Sequence, residues 1–198
     1  MSPLPQERWY SYADLLAWDE DIRYELYDGL PMAMASPTDV HQEISGELHW
    51  QLENYLRGKP CRVYYSPLDV RLFERDGDRP EDVYTVVQPD LMVVCDRGKV
   101  DRHGVHGAPD LVIEILSEST RRLDRLIKFD LYQRAGVREY WIVDPSARAV
   151  TVHTLADGAY QTATYPAGSI APVSILEGCG IDLSTVFPER RDEIRYLR

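Results

Sequence analysis

The segment APDLVIEILS, residues 108–117, decides the fold. From Leu111 to Leu116 it is almost continuously apolar, the pattern of a central strand covered on both faces. One residue breaks the pattern. Glu114 stands in the setting Val112-Ile113-Glu114-Ile115-Leu116, where a carboxylate costs several kcal/mol to bury unless a cation or a donor meets it. Side chains alternate along a strand, so Asp110, Val112, Glu114 and Leu116 share one face.

After this strand the period lengthens. A helix is expected from Ser119 or Thr120 to Ala135, with Leu123, Ile127 and Leu131 as its apolar stripe and Gly136 as its C-cap. REYWIVDP, residues 138–145, resumes the extended pattern. Strand, helix, strand reads as a crossover unit with parallel strands.

Upstream, VYTVVQPDLMVV (83–94) is extended and is interrupted by Pro89 before Asp90, and CRVYYSPLDVRLF (61–73) is also β-rich. Val40, Ile44, Leu48, Leu52 and Tyr55 or Leu56 recur at helical spacing and predict a helix of about four turns. SYADLLAW (11–18) reads as a short helix capped by Ser11, with Asp14 three residues on. Asp28-Gly29 and Asp157-Gly158 each sit between extended runs and predict hairpins. ILEGCGIDLSTVF (175–187) reads as a short strand and turn. The class is therefore mixed α/β (α+β): a central mixed sheet flanked by helices, with additional N- and C-terminal β-hairpins, in one domain over residues 1–198.

The 198 residues carry a formal charge of -11, with a sequence pI near 4.9. That lacks the usual electrostatic footprint of a nucleic-acid binder. Basic residues concentrate in Arg121, Arg122, Arg125, Lys128, Arg134 and Arg138, against Glu118, Asp124, Asp130 and Glu139. No apolar run approaches the roughly 20 residues of a membrane-spanning helix, which points to a cytoplasmic protein without a membrane partner. Three cysteines, Cys61, Cys95 and Cys179, form no CxxC and are odd in number, which fits a reducing compartment and no structural zinc.

Asp90 opens its strand 24 residues before Glu114. Consecutive strands usually neighbour each other, and two carboxylates side by side repel. A hard divalent cation relieves both the burial of Glu114 and that repulsion, so Asp90, Glu114 and Asp110 are candidate ligands for Mg²⁺, with Mn²⁺ as a substitute. Lys128, four residues after Asp124, is a candidate for orienting a water or offsetting phosphoryl charge, or else an ordinary surface partner of Asp124. Glu25, His41 and Glu43 are candidate helpers. His103 and His106 lack a third ligand at zinc spacing. Ser117 and Ser119 lack a histidine partner and a GxSxG elbow.

RYELYDG, SPTDVHQEI, QPDLMVV, APDLVIEILSEST, then Lys128, Tyr132 and GVREYWIVDP, together resemble a large bacterial family of restriction-endonuclease-like proteins. That family is abundant in cyanobacteria, was long catalogued as a domain of unknown function, and belongs to the PD-(D/E)XK nuclease superfamily. The resemblance spans about residues 12–187. It implies a restriction-endonuclease-like fold and Mg²⁺-dependent phosphodiester hydrolysis. It also implies that Asp90 is the first metal aspartate and Glu114 the second acidic ligand. The superfamily motif would place lysine at position 116, where this chain has Leu116; Lys128, from the following helix, looks like the substitute. Glu25, His41 and Glu43 are the implied helpers of the metal. The expected activity is a DNA endonuclease, working as a homodimer because a duplex has two strands to cut. The competing expectations are a non-enzymatic binding module on the same fold and a hydrolase of another phosphodiester such as RNA.

Overall fold

The computed structural model describes residues 8–18, 22–117 and 123–189. Along the chain come α1 (Tyr12–Leu16), β1 (Tyr24–Tyr27), β2 (Leu30–Ala33), α2 (Asp39–Leu56), β3 (Arg62–Tyr65), β4 (Val70–Arg71), β5 (Val86–Val87) and β6 (Leu91–Val94). Then follow β7 (Val100–Asp101), β8 (Gly104–His106) and β9 (Leu111–Ile115), and a π-helical turn over Leu123–Lys128 that runs into α3 (Phe129–Ala135). The chain continues with β10 (Glu139–Asp144), β11 (Ala149–Ala156), β12 (Ala159–Pro166), β13 (Ile170–Pro172), β14 (Gly180–Asp182) and α4 (Leu183–Val186).

β9 is buried along its whole length, paired on both edges and covered on both faces. The main sheet has the order β12-β11-β10-β9-β6-β3. β10 runs parallel to β9, as expected of a strand-helix-strand unit, and β6 runs antiparallel, so the sheet is mixed. On one face α2 lays down Ile44, Leu48, Leu52 and Leu56 against Leu91, Val93, Leu111, Ile113 and Ile115. On the other, Leu131 and Tyr132 of α3 cover Met92, Val112, Leu116 and Ile142.

Both expected hairpins form. Asp28 and Gly29, and Asp157 and Gly158, all adopt positive φ, as a two-residue loop twisted to match its strands requires. Ser11 caps α1 in a capping box with Asp14, and Gly136 ends α3 in the left-handed conformation.

Three findings depart from the sequence expectation. First, a second six-stranded sheet, β2-β1-β5-β4-β8-β7, lies beside the main one. Three of its members are two residues long, too short to leave a periodic trace. Second, the helix after β9 does not bury a Leu123-Ile127-Leu131 stripe. Ile127 is 48% exposed, whereas Asp124, Lys128, Leu131 and Tyr132 are buried. The π-helical winding of residues 123–128 re-aims the face that α-helical spacing would present; the expected start at Ser119 or Thr120 lies outside the described residues. Third, Cys61 and Cys95 are joined by a disulfide, and only Cys179 is free. The β3–β6 register places them opposite each other, which linear spacing does not reveal.

Candidate functional site

Pro89 interrupts the approach to β6, and the ladder with β9 begins at the pair Leu91–Ile113. One step beyond that pair, Asp90 faces Glu114. Directly opposed residues of two paired strands share a face, and here it is the face that α3 covers. The backbone N–H of Ile115, left without a strand partner, donates to Asp90 Oδ2 at 2.7 Å. His41, in the first turn of α2, brings Nε2 to the same oxygen at 3.0 Å. Both contacts fall on Oδ2; among the described residues nothing bonds Asp90 Oδ1.

Glu114 is buried within an ionic cluster. Lys128 Nζ donates to its Oε1 at 2.9 Å, and the Tyr132 hydroxyl donates to the same oxygen at 2.7 Å. The ammonium also stands 3.2 Å from Glu25 Oε1 and 3.6 Å from Asp124 Oδ1. Glu25 comes from β1 of the second sheet. Its Oε1 accepts from the backbone N–H of Gln88 at 2.8 Å, and its Oε2 from the Tyr27 hydroxyl. The second sheet thus delivers one carboxylate to the cluster.

The electrostatics follow from this count of charges. One ammonium faces three close carboxylates, so Lys128 is held protonated and its pKa is raised, chiefly by Glu114 and then Glu25, against the opposing effect of burial. Glu114 is also raised well above the ordinary carboxylate range. Burial is the main cause. Asp90, Asp124 and Glu25 add to it, and Lys128 alone does not offset them. The two upward shifts are compatible, because one cation cannot neutralise all of these acids.

A divalent cation suits what is left over. Asp90 Oδ1 and Glu114 Oε2 take no hydrogen bond from the described residues, and they belong to carboxylates one register step beyond the Leu91–Ile113 pair. Mg²⁺ is typically held through one or two carboxylates while keeping several of its waters. No group of three or more His, Cys, Asp or Glu among the described residues forms a ready-made cage. The Asp90 and Glu114 carboxylates are the protein donors that a hydrated Mg²⁺ ion would use.

Of the residues singled out from sequence, Asp90, Glu114, Lys128, Glu25 and His41 come together. Asp110 does not join them. It precedes the opposite end of β9, about 13 Å from Glu114 at the rise of a strand. Both its oxygens are taken there, by Cys95 N at 2.8 Å and Arg138 at 3.1 Å. This corrects its expected place beside the metal. Glu43 lies on the exposed side of α2. Arg125, Arg134 and Arg138 pair with Asp144, Asp130 and Asp110, so they do not form an open basic face; Arg121 and Arg122 lie outside the described residues. Leu116 is core, as a leucine should be. Sequence reasoning passed over Tyr27, and over Asp124 and Tyr132 as parts of the cluster. The spacing Asp124, Lys128, Tyr132, four and four, was the available signal that one helical face points at Glu114.

The mixed sheet flanked by helices is that of the restriction-endonuclease-like fold. The model of the family described as "Uma2: Putative restriction endonuclease" matches residues 10–184, and the chain belongs to that family. Among curated proteins, "Uncharacterized protein slr1290" of Synechocystis sp. (strain ATCC 27184 / PCC 6803 / Kazusa) is 29% identical over 170 residues, covering 84% of each chain. Among solved structures, a "putative nuclease belonging to DUF820" from Anabaena variabilis ATCC 29413 superposes with a TM-score of 0.71 at 19% identity. That match covers 89% of this chain and 97% of the other. Family membership supports an enzyme of the nuclease class. No helix among the described residues is long and apolar enough to cross a membrane.

Proposed function

We propose that this protein is a Mg²⁺-dependent endonuclease that hydrolyses phosphodiester bonds of DNA. The observation that carries the reading is the opposition of Asp90 and Glu114 on one sheet face, with the Lys128 ammonium on Glu114. Asp90 and Glu114 would hold the ion, with Mn²⁺ able to replace it. When bound, the ion lowers the pKa of a coordinated water and polarises the phosphoryl group.

The chain's own residues do the rest. Ile115 N–H and His41 fix Asp90 through one oxygen and leave the other to bind. Tyr132 and Lys128 do the same for Glu114. Lys128 carries the charge that offsets the anionic phosphoryl oxygens, and Glu25 holds that ammonium from the second sheet. The reading includes a cytoplasmic location and a homodimer that presents one site to each strand.

The test is nicking of supercoiled plasmid with Mg²⁺ or Mn²⁺, with chelator, and with Glu114→Gln. Metal-dependent nicking lost in the variant supports the reading; equal nicking by both proteins overturns it. The pairing of Arg125, Arg134 and Arg138 with acids favours a second reading, in which another phosphodiester, a small nucleotide before RNA, is the substrate. Running a small nucleotide diester and RNA in the same assay separates the readings. Tight metal binding without cleavage of any substrate would identify a binding module.

A further inference from the structure

β12 is the outer strand of the main sheet, eight residues long and exposed along most of its length. Such an edge is a template for another strand, and proteins usually blunt it with charge, proline or brevity. The other edges carry those devices. β2 has Pro31 at its second position, β7 is two residues long and ends in Asp101, and β3 is four residues long and begins with Arg62. β12 reads AYQTATYP and carries no acid or base, and its partner β11, AVTVHTLA, has His153 as its single titratable group. In a chain that is 28% charged, the strands of this hairpin are an uncharged strip.

The register identifies the outward-facing backbone groups. The two-residue turn pairs Ala156 with Ala159, and inward hydrogen bonding then recurs at Gln161, Ala163 and Tyr165. Leu155 N–H goes to Arg138 and Ala167 N–H to Arg148, as that alternation requires. Tyr160, Thr162, Thr164 and Pro166 therefore face outward. Tyr160 N–H is already taken by Gln133 Oε1 at 2.9 Å, and Pro166 has no N–H. Thr162 and Thr164 keep both backbone groups, and the run is closed at each end.

We propose that two copies of this chain pair antiparallel through β12, about a twofold axis at Ala163. In that register Thr162 faces Thr164 of the second copy on both sides of the axis, and each pair exchanges two hydrogen bonds. A shift of two residues either way spends a pairing position on Tyr160 or Pro166, which lack a free donor. Charge favours the same seam. Two chains of charge -11 repel, and here no acid on the strand opposes another. The proposal rests on the homodimer reading above and is independent of the nuclease chemistry.

The experiment is sedimentation equilibrium of the full chain, with Ala163→Asp and Ala163→Cys. The parent should sediment at twice 22.8 kDa. Ala163→Asp sets two carboxylates face to face and should weaken association at least about tenfold, with the circular dichroism unchanged. Residues at a non-hydrogen-bonded pair have Cα atoms roughly 4.5 Å apart, within disulfide reach, so Ala163→Cys should crosslink under diamide when the parent and Thr162→Cys do not. A monomeric parent would overturn both the seam and the homodimer. A dimer that tolerates Ala163→Asp and does not crosslink through Cys at 163 would overturn the seam alone.

Discussion

Two aspartates follow prolines in near-identical settings, Pro89-Asp90 before β6 and Pro109-Asp110 before β9, and they have opposite fates. Asp110 spends both oxygens on the fold, one on Cys95 N–H and one on Arg138. Asp90 spends one, shared by Ile115 N–H and His41, and keeps the other. Asp90 also faces a buried acid, whereas Asp110 faces an arginine. The dipeptide does not make a site. What matters is whether the fold leaves an oxygen uncommitted and places a like charge beside it, so that a cation relieves the repulsion.

The sharpest way to break this comparison is to remove charge at the Asp90 end. Glu114→Gln and Asp90→Asn should each reduce metal-dependent plasmid nicking by about 10²–10³-fold, the scale of losing a group that acts on the transition state. Glu114→Gln should leave folding intact. Calorimetry with Mn²⁺ should show affinity lost in both. Nicking retained in either variant would remove that residue from the site.

Lys128→Met comes next. Loss of the ammonium should lower turnover by roughly 10²-fold while affecting Mn²⁺ affinity little. The structure adds an effect on stability. The substitution leaves Glu25, Glu114 and Asp124 buried without their shared cation, a change that costs roughly 3–5 kcal/mol for a buried pair. Urea unfolding in chelator measures it. Loss of turnover without loss of stability would mean that the ammonium is less buried than its surroundings indicate. Adding Glu114→Gln to Lys128→Met should recover part of the stability and none of the activity.

Much of this was legible in the sequence, and the reasons are physical. β9 announced itself because a strand covered on both faces must be apolar throughout, which made Glu114 conspicuous. Both Asp-Gly hairpins and the Ile44-Leu48-Leu52-Leu56 face were readable because local backbone geometry and helical periodicity need no tertiary information. The second sheet was not, since two-residue strands carry no period. Nor was the burial of Lys128, because α-helical spacing assigned Ile127 to the buried stripe, and the π-helical turn exposes Ile127 and buries Lys128. The Cys61–Cys95 pair depends on the β3–β6 register, which a list of motifs does not contain, whereas the separation of Asp110 from Glu114 was readable, since four residues of strand rise span roughly 13 Å.

The pH dependence of stability separates the cluster from the rest of the fold. Glu114 has a folded-state pKa well above the ordinary carboxylate value, because it is buried among like charges. Between the unfolded and folded values the native chain holds a proton that the unfolded chain has released, so stability in chelator should fall as pH rises through that window. Lys128, raised by its carboxylates, contributes stability that is fully present below the ordinary lysine range and is lost at higher pH. His153 has the opposite sense. Burial lowers its pKa to about 4, so stability is lost as pH falls from about 6.5 towards 4. Urea midpoints from pH 4 to 9 should thus fall at both ends. Glu114→Gln should flatten the upper limb and leave the lower one in place. An upper limb unchanged by that substitution would move the buried proton elsewhere.

The smallest effect is expected from Asp110→Asn, and it closes the comparison. Asparagine keeps an oxygen for the Cys95 N–H, so the bond that ties the start of β9 to the end of β6 survives. Only the charge facing Arg138 is lost. That arginine is more than half exposed, and a pair of this kind contributes at most about 1 kcal/mol. Asp110 stands about four strand residues from Glu114, roughly 13 Å, beyond the distance at which substitutions usually couple. Metal affinity and nicking should therefore match the parent, and the urea midpoint should drop slightly. A loss of nicking comparable to that of Asp90→Asn would return Asp110 to the metal site and require β9 to be bound along its whole length. Equal, small effects at both aspartates would instead show that the uncommitted oxygen of Asp90 holds nothing, and that the two Pro-Asp turns differ only in their hydrogen bonds.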